Sequence, residues 1–155
     1  MRDVVFEGGA PGVRTLQPDD LFQLEEFVEH WGGGFAISPD GATLACALRR
    51  PRSTARHFKW PRLLGNDRAD VWLTELDGSS PPRRITDGEG DGAGFWAPVW
   101  SPDGRHLALV STRGGGVRPW VWERASGNPR PLGERSLRLD LDGAPYTWLT
   151  PTTLL

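Results

Sequence analysis

Two stretches of the chain share one pattern of hydrophobic and polar residues. In residues 36–47 and 99–110, an apolar pair precedes the tetrapeptide Ser-Pro-Asp-Gly, and an alternating apolar run follows it. In the second copy, Leu107 and Leu109 fall on one face of the run, and two further apolar residues fall on the other. Period-two alternation predicts a β-strand, and two mostly apolar faces predict burial on both sides. Each stretch is therefore predicted to be a hairpin within a stack of sheets.

The two tetrapeptides predict tight turns. Proline fixes φ at the first central position, aspartate tolerates the second, and glycine accepts a positive φ. Serine at the start of a turn favours local hydrogen bonding. We therefore assign these residues a structural role. They are Ser38, Pro39, Asp40 and Gly41 in the first copy, and Ser101, Pro102, Asp103 and Gly104 in the second.

Further strand patterns extend the hairpins into larger repeats. After each hairpin the strand pattern resumes, at residues 70–76 in the first repeat and 119–123 in the second. A short strand then follows a turn, at 83–86 and at 130–132. A third copy of the hairpin begins at residues 144–151. The chain therefore consists of successive units of up to four strands.

The spacing of these units predicts a β-propeller. Pro102 and Pro151 are 49 residues apart, a period typical of propeller blades, whereas Pro39 and Pro102 are 63 apart. The excess of about 14 residues falls in the basic stretch 49–68, which we predict to be an insertion within the first blade. The predicted fold is all-β, a partial β-propeller of about two to three blades of antiparallel strands with a short N-terminal helix. The predicted propeller covers residues 35–155, with repeats at 35–86, 87–132 and 133–155.

The N-terminal segment, residues 1–34, follows another pattern. Residues 3–7 could form a strand, and Pro18 followed by two acids predicts the first turn of a helix. Apolar residues at helical spacing then face glutamates, which predicts an amphipathic helix that ends by Trp31 and packs on the first sheet. The apolar residues are Leu21, Leu24, Phe27 and Val28, and the glutamates are Glu25, Glu26 and Glu29.

Composition and charge exclude several classes of function. The net charge of -2 gives no overall field for nucleic acid or an acidic membrane surface. The single Cys46 excludes a disulfide framework and is predicted to be a buried, inert thiol. No stretch has the length of a membrane span or the apolar core of a signal peptide, so we predict a cytoplasmic protein without membrane partners.

Two complete repeats and a fraction cannot close a ring, because closed propellers use about four to eight blades. We therefore expect the chain to be the N-terminal part of a longer protein. Its open sheet edges are expected to favour self-association when the chain is expressed alone.

The second repeat resembles the TolB-like (PD40) propeller repeat. That repeat runs from an Arg-Leu-Thr edge to a Pro-x-Trp-Ser-Pro-Asp-Gly turn and an apolar strand. Here the corresponding residues are 84–86, 98–104 and 107–110. The match is specific for the repeat and not for a function, because envelope binding proteins and peptidases both use it.

The order of features over residues 17–151 is similar to the start of the prolyl oligopeptidase family, above all its acylaminoacyl-peptidase-like bacterial branch. The features are Pro-Asp-Asp-Leu at 18–21, the first Ser-Pro-Asp-Gly turn, the basic insertion and Asp-Val-Trp-Leu at 70–73. In that family, an N-terminal propeller caps a C-terminal α/β-hydrolase domain with a Ser-Asp-His triad and admits only short peptides. The resemblance implies a non-catalytic propeller portion, with the remaining blades, a hydrolase domain and peptide substrates as partners. The alternative is a TolB-like scaffold for protein–protein interaction, with no enzyme attached.

No catalytic residue, metal site or cofactor site is predicted within the chain. A nucleophile elbow needs Gly-x-Ser-x-Gly, which does not occur in the sequence. His30, His57 and His106 are scattered, without the spacing of metal ligands.

Two charged features remain open. Some aminodipeptidases of the family hold the substrate's amino terminus with paired glutamates, which makes Glu25 and Glu26 candidates for a peptide-amine contact; we favour a solvated helix face. The stretch 49–68, basic with interleaved aromatic residues, could contact nucleic acid. We favour a solvated insertion there, because the rest of the chain is not basic.

Overall fold

Three antiparallel sheets follow one another along the chain. The structure is a computed structural model and describes residues 16–29, 33–54, 66–137, 139 and 145–155. The strand predicted at residues 3–7 and the core of the basic stretch, residues 55–65, lie outside the described residues. Short 3-10 helices occupy Pro18–Gln23, Arg52–Thr54 and Asn66–Arg68.

The first sheet contains β1 (Glu26–Phe27), β2 (Phe35–Ile37), β3 (Thr43–Arg49), β4 (Ala69–Glu75) and β5 (Arg83–Arg84). The second contains β6 (Phe95–Trp100), β7 (His106–Ser111), β8 (Arg118–Glu123) and β9 (Pro129–Pro131). The third is a hairpin of β10 (Trp148–Thr150) and β11 (Thr153–Leu154). The strand order is β1-β3-β4-β5 in the first sheet, with β2 also beside β3, and β6-β7-β8-β9 in the second. Each of the first two sheets has four strand positions, because β1 and β2 share one edge of β3. Sequential antiparallel sheets of this form are the blades of a propeller, so the predicted all-β partial propeller is confirmed.

The second blade is buried on both faces. Leu107 and Trp122 lie opposite each other on one face, Ala108 and Val121 on the other, and each is at most 2% exposed. Burying a large apolar side chain stabilises the fold by about 1.5–3 kcal/mol, so both faces contribute to the core. One face packs on the first blade and the other lies towards the third hairpin.

Aromatic side chains bind backbone carbonyls across the gaps between blades. The Trp100 indole N–H donates to the Ala36 carbonyl at 3.1 Å, and the Trp148 indole N–H donates to the Val99 carbonyl at 2.9 Å. Ala36 and Val99 are equivalent positions, each two residues before a turn serine. The Tyr146 hydroxyl donates to the Ala97 carbonyl at 2.5 Å. Both indole contacts therefore use an equivalent acceptor position on the preceding blade, although the donors differ, because Trp100 directly precedes Ser101 and Trp148 lies two residues before Thr150. Since β6 and its equivalents make these contacts, we call this edge of each blade the inner edge.

The predicted helix up to Trp31 is wrong beyond its first turns. A 3-10 helix ends at Gln23, Leu24 is extended (φ -77°, ψ 140°), and residues 26–27 form β1. Glu26 and Phe27 pair with the last two residues of β3. That edge of β3 would otherwise leave backbone groups unpaired, so strand pairing outweighs the helical spacing of the apolar residues.

The inner strand of the first blade is made of two pieces, because β1 and β2 pair with the same edge of β3. The Val28 N–H donates to the Ala47 carbonyl at 3.0 Å, and the Ala47 N–H donates to the Gly34 carbonyl at 2.7 Å. A Cβ at residue 34 would clash with the Val28 carbonyl oxygen, so the two pieces meet only with glycine there. In the second blade, β6 alone covers this edge, with a register shift between Trp96 and Val99.

The face of the first blade turned away from the second is apolar and exposed. Phe27 and Ile37 are 49% and 61% exposed, whereas their equivalents Phe95 and Trp100 are 0% and 7% exposed. The first blade therefore has one covered face and the second has two. Among the described helices, none is long and apolar enough to cross a membrane.

We predict that Trp100 holds the first two blades together. Trp100→Ala removes a buried ring and its hydrogen bond and should cost about 3–5 kcal/mol of the free energy of unfolding. Trp100→Phe keeps most of the ring and should cost about 1 kcal/mol through the lost N–H. Urea denaturation followed by circular dichroism measures both. Leu149→Ala, at a side chain 57% exposed, is the control. A Trp100→Ala cost no larger than that of the control would contradict this role.

Candidate functional site

The first Ser-Pro-Asp-Gly turn is closed by its own side chains. The Ser38 hydroxyl donates to Asp40 at 2.5 Å and accepts the Thr43 N–H at 2.9 Å. The Gly41 N–H donates to the Ser38 carbonyl at 2.8 Å, and Gly41 has φ of 72°. Pro39 takes the first central position, which suits its fixed φ. Each group of the turn is therefore used in reversing the chain.

The second turn repeats this arrangement. The Ser101 hydroxyl donates to Asp103 at 2.6 Å and accepts the His106 N–H at 2.9 Å, and Gly104, which follows Pro102 and Asp103, has φ of 67°. The hydrogen bond from Ser101 is the main cause that lowers the pKa of Asp103 below 3.8. Because the serine donates to a carboxylate rather than to a base, it is not set up as a nucleophile.

Four arginines gather where β3 leaves the first blade, at the end opposite the turn of Ser38. This set, which we call the arginine cluster, consists of Arg49, Arg50, Arg52 and Arg68. The insertion departs and returns here: 21 residues separate Leu48 from its cross-strand partner Asp70. In the second blade, only six residues separate the equivalent partners Ser111 and Arg118. The predicted insertion is therefore present and lies between β3 and β4.

A buried ion pair fixes one side of the cluster. Arg50 Nη1 lies 2.5 Å from Asp70 Oδ2, and the other Asp70 oxygen accepts the Thr86 hydroxyl at 3.0 Å and the Gly88 N–H at 2.9 Å. Arg50 also donates to the Ala93 carbonyl at 2.8 Å. Burial raises the pKa of Asp70 although Arg50 opposes the shift. The pair therefore joins β3 and β4 to the loop that leads into the second blade.

Glu26 lies among the remaining arginines. Its two carboxylate oxygens take one guanidinium each, Arg49 at 3.6 Å and Arg52 at 3.5 Å. Arg49 is nearly buried and donates twice to Asn66 Oδ1, at 3.0 and 3.1 Å. Arg52 is 58% exposed and Glu26 is 38% exposed, so solvent reaches this pair.

Arg68 is buried with incomplete hydrogen bonding. It donates to the Arg50 carbonyl at 2.5 Å, but its Nε has no acceptor within the described part of the chain. Burial is the main cause that lowers the pKa of Arg68, and Glu26 and Asp67 are the carboxylates that counter it. Burial in turn raises the pKa of Asp67. Three guanidinium groups therefore share two carboxylates, one of which is itself penalised by burial.

The structure places the paired glutamates differently from the prediction. They lie at and before β1, not on a helix face. Glu25 is exposed and forms no ion pair with a described residue, whereas Glu26 belongs to the arginine cluster. The peptide-amine contact stays a prediction. Binding of a peptide amine is less favourable at Glu26, because Arg49 and Arg52 already neutralise that carboxylate.

Sequence reasoning missed the pairing of Arg50 with Asp70 and of Arg49 with Glu26. One signal was available for the first pair. Asp70 opens an otherwise apolar strand, and a carboxylate there needs a partner when buried. Glu26 and Arg49 are brought together only by the unpredicted pairing of β1 with β3.

A cleft of about 560 Å³ lies between the second blade and the third hairpin. Pro119 and Val121 contribute to its floor. Their equivalents in the first blade, Val71 and Leu73, are at most 2% exposed and belong to the core. The cleft therefore has the composition of a gap between blades, not that of a ligand site.

Comparison with known proteins identifies a shared fold. No family model matches the chain, and no curated protein sequence matches it. Among solved structures, AtxE2 isopeptidase in its apo form is similar with a TM-score of 0.62 and 19% identity, over 90% of this chain and 22% of the isopeptidase chain. A variant of this isopeptidase with Astexin3-dC4 bound has a TM-score of 0.62 and 22% identity, over 92% of this chain and 23% of the isopeptidase chain. TolB from Acinetobacter baumannii has a TM-score of 0.45 and 19% identity, over 66% of this chain and 21% of the TolB chain.

This chain therefore spans less than a quarter of the length of the isopeptidase whose fold it shares. The identities are low, so the likeness concerns the fold alone. It extends over nine tenths of the chain.

We predict that Ser101 lowers the pKa of Asp103. Ser101→Ala removes the hydroxyl donor, so the Asp103 titration midpoint should rise towards 3.8. Since the folded pKa is lowered, the carboxylate stabilises the fold above pH 3.8, and this contribution is lost as the pH falls through the folded pKa. NMR titration of the aspartate carboxyl groups measures the midpoint, with Asp40 in the unchanged first turn as the internal control. An unchanged Asp103 midpoint would show that the hydroxyl is not the cause.

We also predict that the Arg50–Asp70 pair stabilises the end of the first blade where β3 and β4 meet the insertion. Asp70→Asn leaves a buried guanidinium uncompensated and should cost about 3–5 kcal/mol of the free energy of unfolding. The double variant Arg50→Met with Asp70→Asn removes both charges and keeps an oxygen acceptor for Thr86 and Gly88, so it should recover much of that loss. Asp87→Asn, at a carboxylate 66% exposed, is the control in urea denaturation. A double variant less stable than Asp70→Asn would argue against this account.

Proposed function

We propose that this chain is the propeller portion of a prolyl-oligopeptidase-like serine peptidase. In this proposal it performs no chemistry itself and limits which peptides reach an α/β-hydrolase domain outside residues 1–155. The observation that carries the proposal is the extent of the shared fold. Nine tenths of this chain superimpose on about a fifth of an isopeptidase, in agreement with the sequence resemblance to prolyl oligopeptidases.

The chemistry of the described residues is consistent with a non-catalytic role. The turn serines Ser38 and Ser101 each donate to a neighbouring aspartate instead of a histidine. The hydroxyl of Thr86 lies within the buried Arg50–Asp70 network. These three hydroxyl groups are therefore engaged in hydrogen bonds that hold the blades in shape.

The stacking of the blades supports a role in limiting which peptides reach the hydrolase domain. The contacts from Trp100 to Ala36 and from Trp148 to Val99 join neighbouring blades at their inner edges, and in this proposal those edges line the passage through the propeller. An extended peptide is narrow enough for a passage lined by such edges, whereas a folded protein is not. Selection by size then needs no specific contact with the substrate.

Labelling with a fluorophosphonate probe tests the catalytic part of the proposal. The probe reacts with activated serines and is applied to the natural full-length protein that contains this chain. We expect one labelled serine, outside residues 1–155, identified by peptide mass spectrometry. Absence of a labelled serine, in a protein shown to be folded, would contradict the peptidase and favour an interaction scaffold.

The limiting of access is tested by comparing substrates of different length. In the same full-length protein, kcat/KM should fall steeply from short peptides to long ones. Trp100→Phe weakens the join between the first two blades, so it should raise the ratio of long-peptide to short-peptide kcat/KM. Arg105→Ala, at an exposed side chain on the second turn, is the matched control and should leave the ratio unchanged. Equal cleavage of short and long peptides by the wild type would contradict gating.

A further inference from the structure

The arginine cluster is not required by the propeller repeat. Glu26 and Arg49 pair across the strands at the inner edge of the first blade. The equivalent residues of the second blade are Gly94 and Thr112, which meet through two neutral hydrogen bonds. The Gly94 N–H donates to the Thr112 hydroxyl at 2.9 Å, and the Thr112 N–H donates to the Gly94 carbonyl at 3.2 Å. A glycine and a threonine are therefore sufficient to close a blade here. The charges of the first blade are an addition that the fold alone does not explain.

The ion pairs of Glu26 leave hydrogen-bonding capacity unused. Its contacts with Arg49 and Arg52, at 3.6 and 3.5 Å, are longer than the 2.7–2.9 Å typical of charge-assisted hydrogen bonds. Arg52 is 58% exposed and holds no other partner among the described residues. Its guanidinium fork can therefore take a second carboxylate without losing an existing hydrogen bond.

Arg68 provides independent support for an anion site. Its side chain is buried, and its Nε has no acceptor among the described residues. A buried guanidinium is expensive unless opposite charge compensates it. Glu26 and Asp67 supply part of that charge, yet they also serve Arg49, Arg50 and Arg52. An additional anion beside Glu26 would therefore be attracted by all three guanidinium groups near it.

We propose that the arginine cluster binds the carboxylate of a peptide, with Arg52 as the contacting residue and Arg49 and Arg68 as supporting charges. Arginine matches a carboxylate in two parallel hydrogen bonds, which a point charge does not. In the proposed function the inner edges line the passage, so a peptide passes this site. This inference rests on the proposed function for the nature of the ligand, and it adds a preference for peptides that carry a free C-terminal carboxylate.

The proposal gives Glu26 a role opposite to that of an amine anchor. As an anchor, Glu26 would attract a peptide's amino terminus, so Glu26→Gln would weaken binding. As a competitor for Arg52, Glu26 repels the incoming carboxylate, so Glu26→Gln should tighten binding. The direction of this one change separates the two forms of recognition.

Fluorescence anisotropy of short labelled peptides on the 155-residue chain tests the proposal. The probes are one hexapeptide of alanine, glycine and a single lysine, labelled through the lysine side chain, in three forms: free at both ends, amidated at the C-terminus, and acetylated at the N-terminus. We expect amidation to weaken binding about tenfold and acetylation to have little effect, because loss of a charge-assisted pair corresponds to about tenfold in affinity. A fourth peptide, amidated but with an internal aspartate, shows whether a side-chain carboxylate substitutes for the terminal one.

Four variants complete the experiment. Arg52→Ala should weaken binding of the free peptide about tenfold, and Arg52→Lys should have an affinity between those of Arg52→Ala and the wild type. Glu26→Gln should tighten binding of the same peptide. Arg105→Ala removes an exposed arginine at the opposite end of the blades and should change nothing. An affinity that amidation leaves unchanged would overturn the proposal. An affinity that both acetylation and Glu26→Gln lower would also overturn it. Because the readout is binding, its failure leaves the peptidase proposal standing, and the absence of a reactive serine leaves this site standing.

Discussion

A blade of this propeller cannot be stable by itself, because both of its faces are apolar. The second blade shows the consequence most clearly: Leu107 and Trp122 need cover on one side, and Ala108 and Val121 need it on the other. Burial of these faces is non-directional and would tolerate sliding of the sheets. The hydrogen bond from the Trp100 indole to the Ala36 carbonyl is directional, so it fixes the position of one blade on the next.

The same constraint explains how the repeats can differ in detail. The stacking depends on the sheet faces and on the carbonyl acceptor two residues before each turn serine, and both blades have that acceptor, at Ala36 and at Val99. The described ends of the connection between β3 and β4 lie at the end of the sheet opposite the Ser38 turn, and the β3–β4 pairing from Thr43 to Arg49 is complete despite the longer connection. The arginine cluster occupies this end of the sheet, and the buried Arg50–Asp70 pair prevents the longer connection from loosening the two strands it joins. A site is thus added to a blade whose core resembles its neighbour's.

The parts of the fold that local chemistry determines could be predicted from the sequence. The turns at Ser38 and Ser101 follow from residues adjacent in the chain, and the alternation around Leu107 identifies a strand buried on both sides. The helix predicted as far as Trp31 fails for the opposite reason. Its helical spacing is real, but a free strand edge at Leu48 and Arg49, far away in sequence, pairs with Glu26 and Phe27 and draws that segment into the sheet. The charged contacts of Glu26 follow from that pairing, so they could not be predicted without it.

The central claim, that each blade depends on cover from its neighbours, is tested most directly by hydrogen exchange of backbone amides in matched strands. Residues 44–47 of β3 and 107–110 of β7 occupy equivalent positions with equivalent cross-strand pairing, and they differ in having one covered face or two. Measured on the intact 155-residue chain, amides of 107–110 should exchange more slowly than those of 44–47, because opening them exposes two packed faces. Equal protection in the two strands, or slower exchange in 44–47, would contradict the claim.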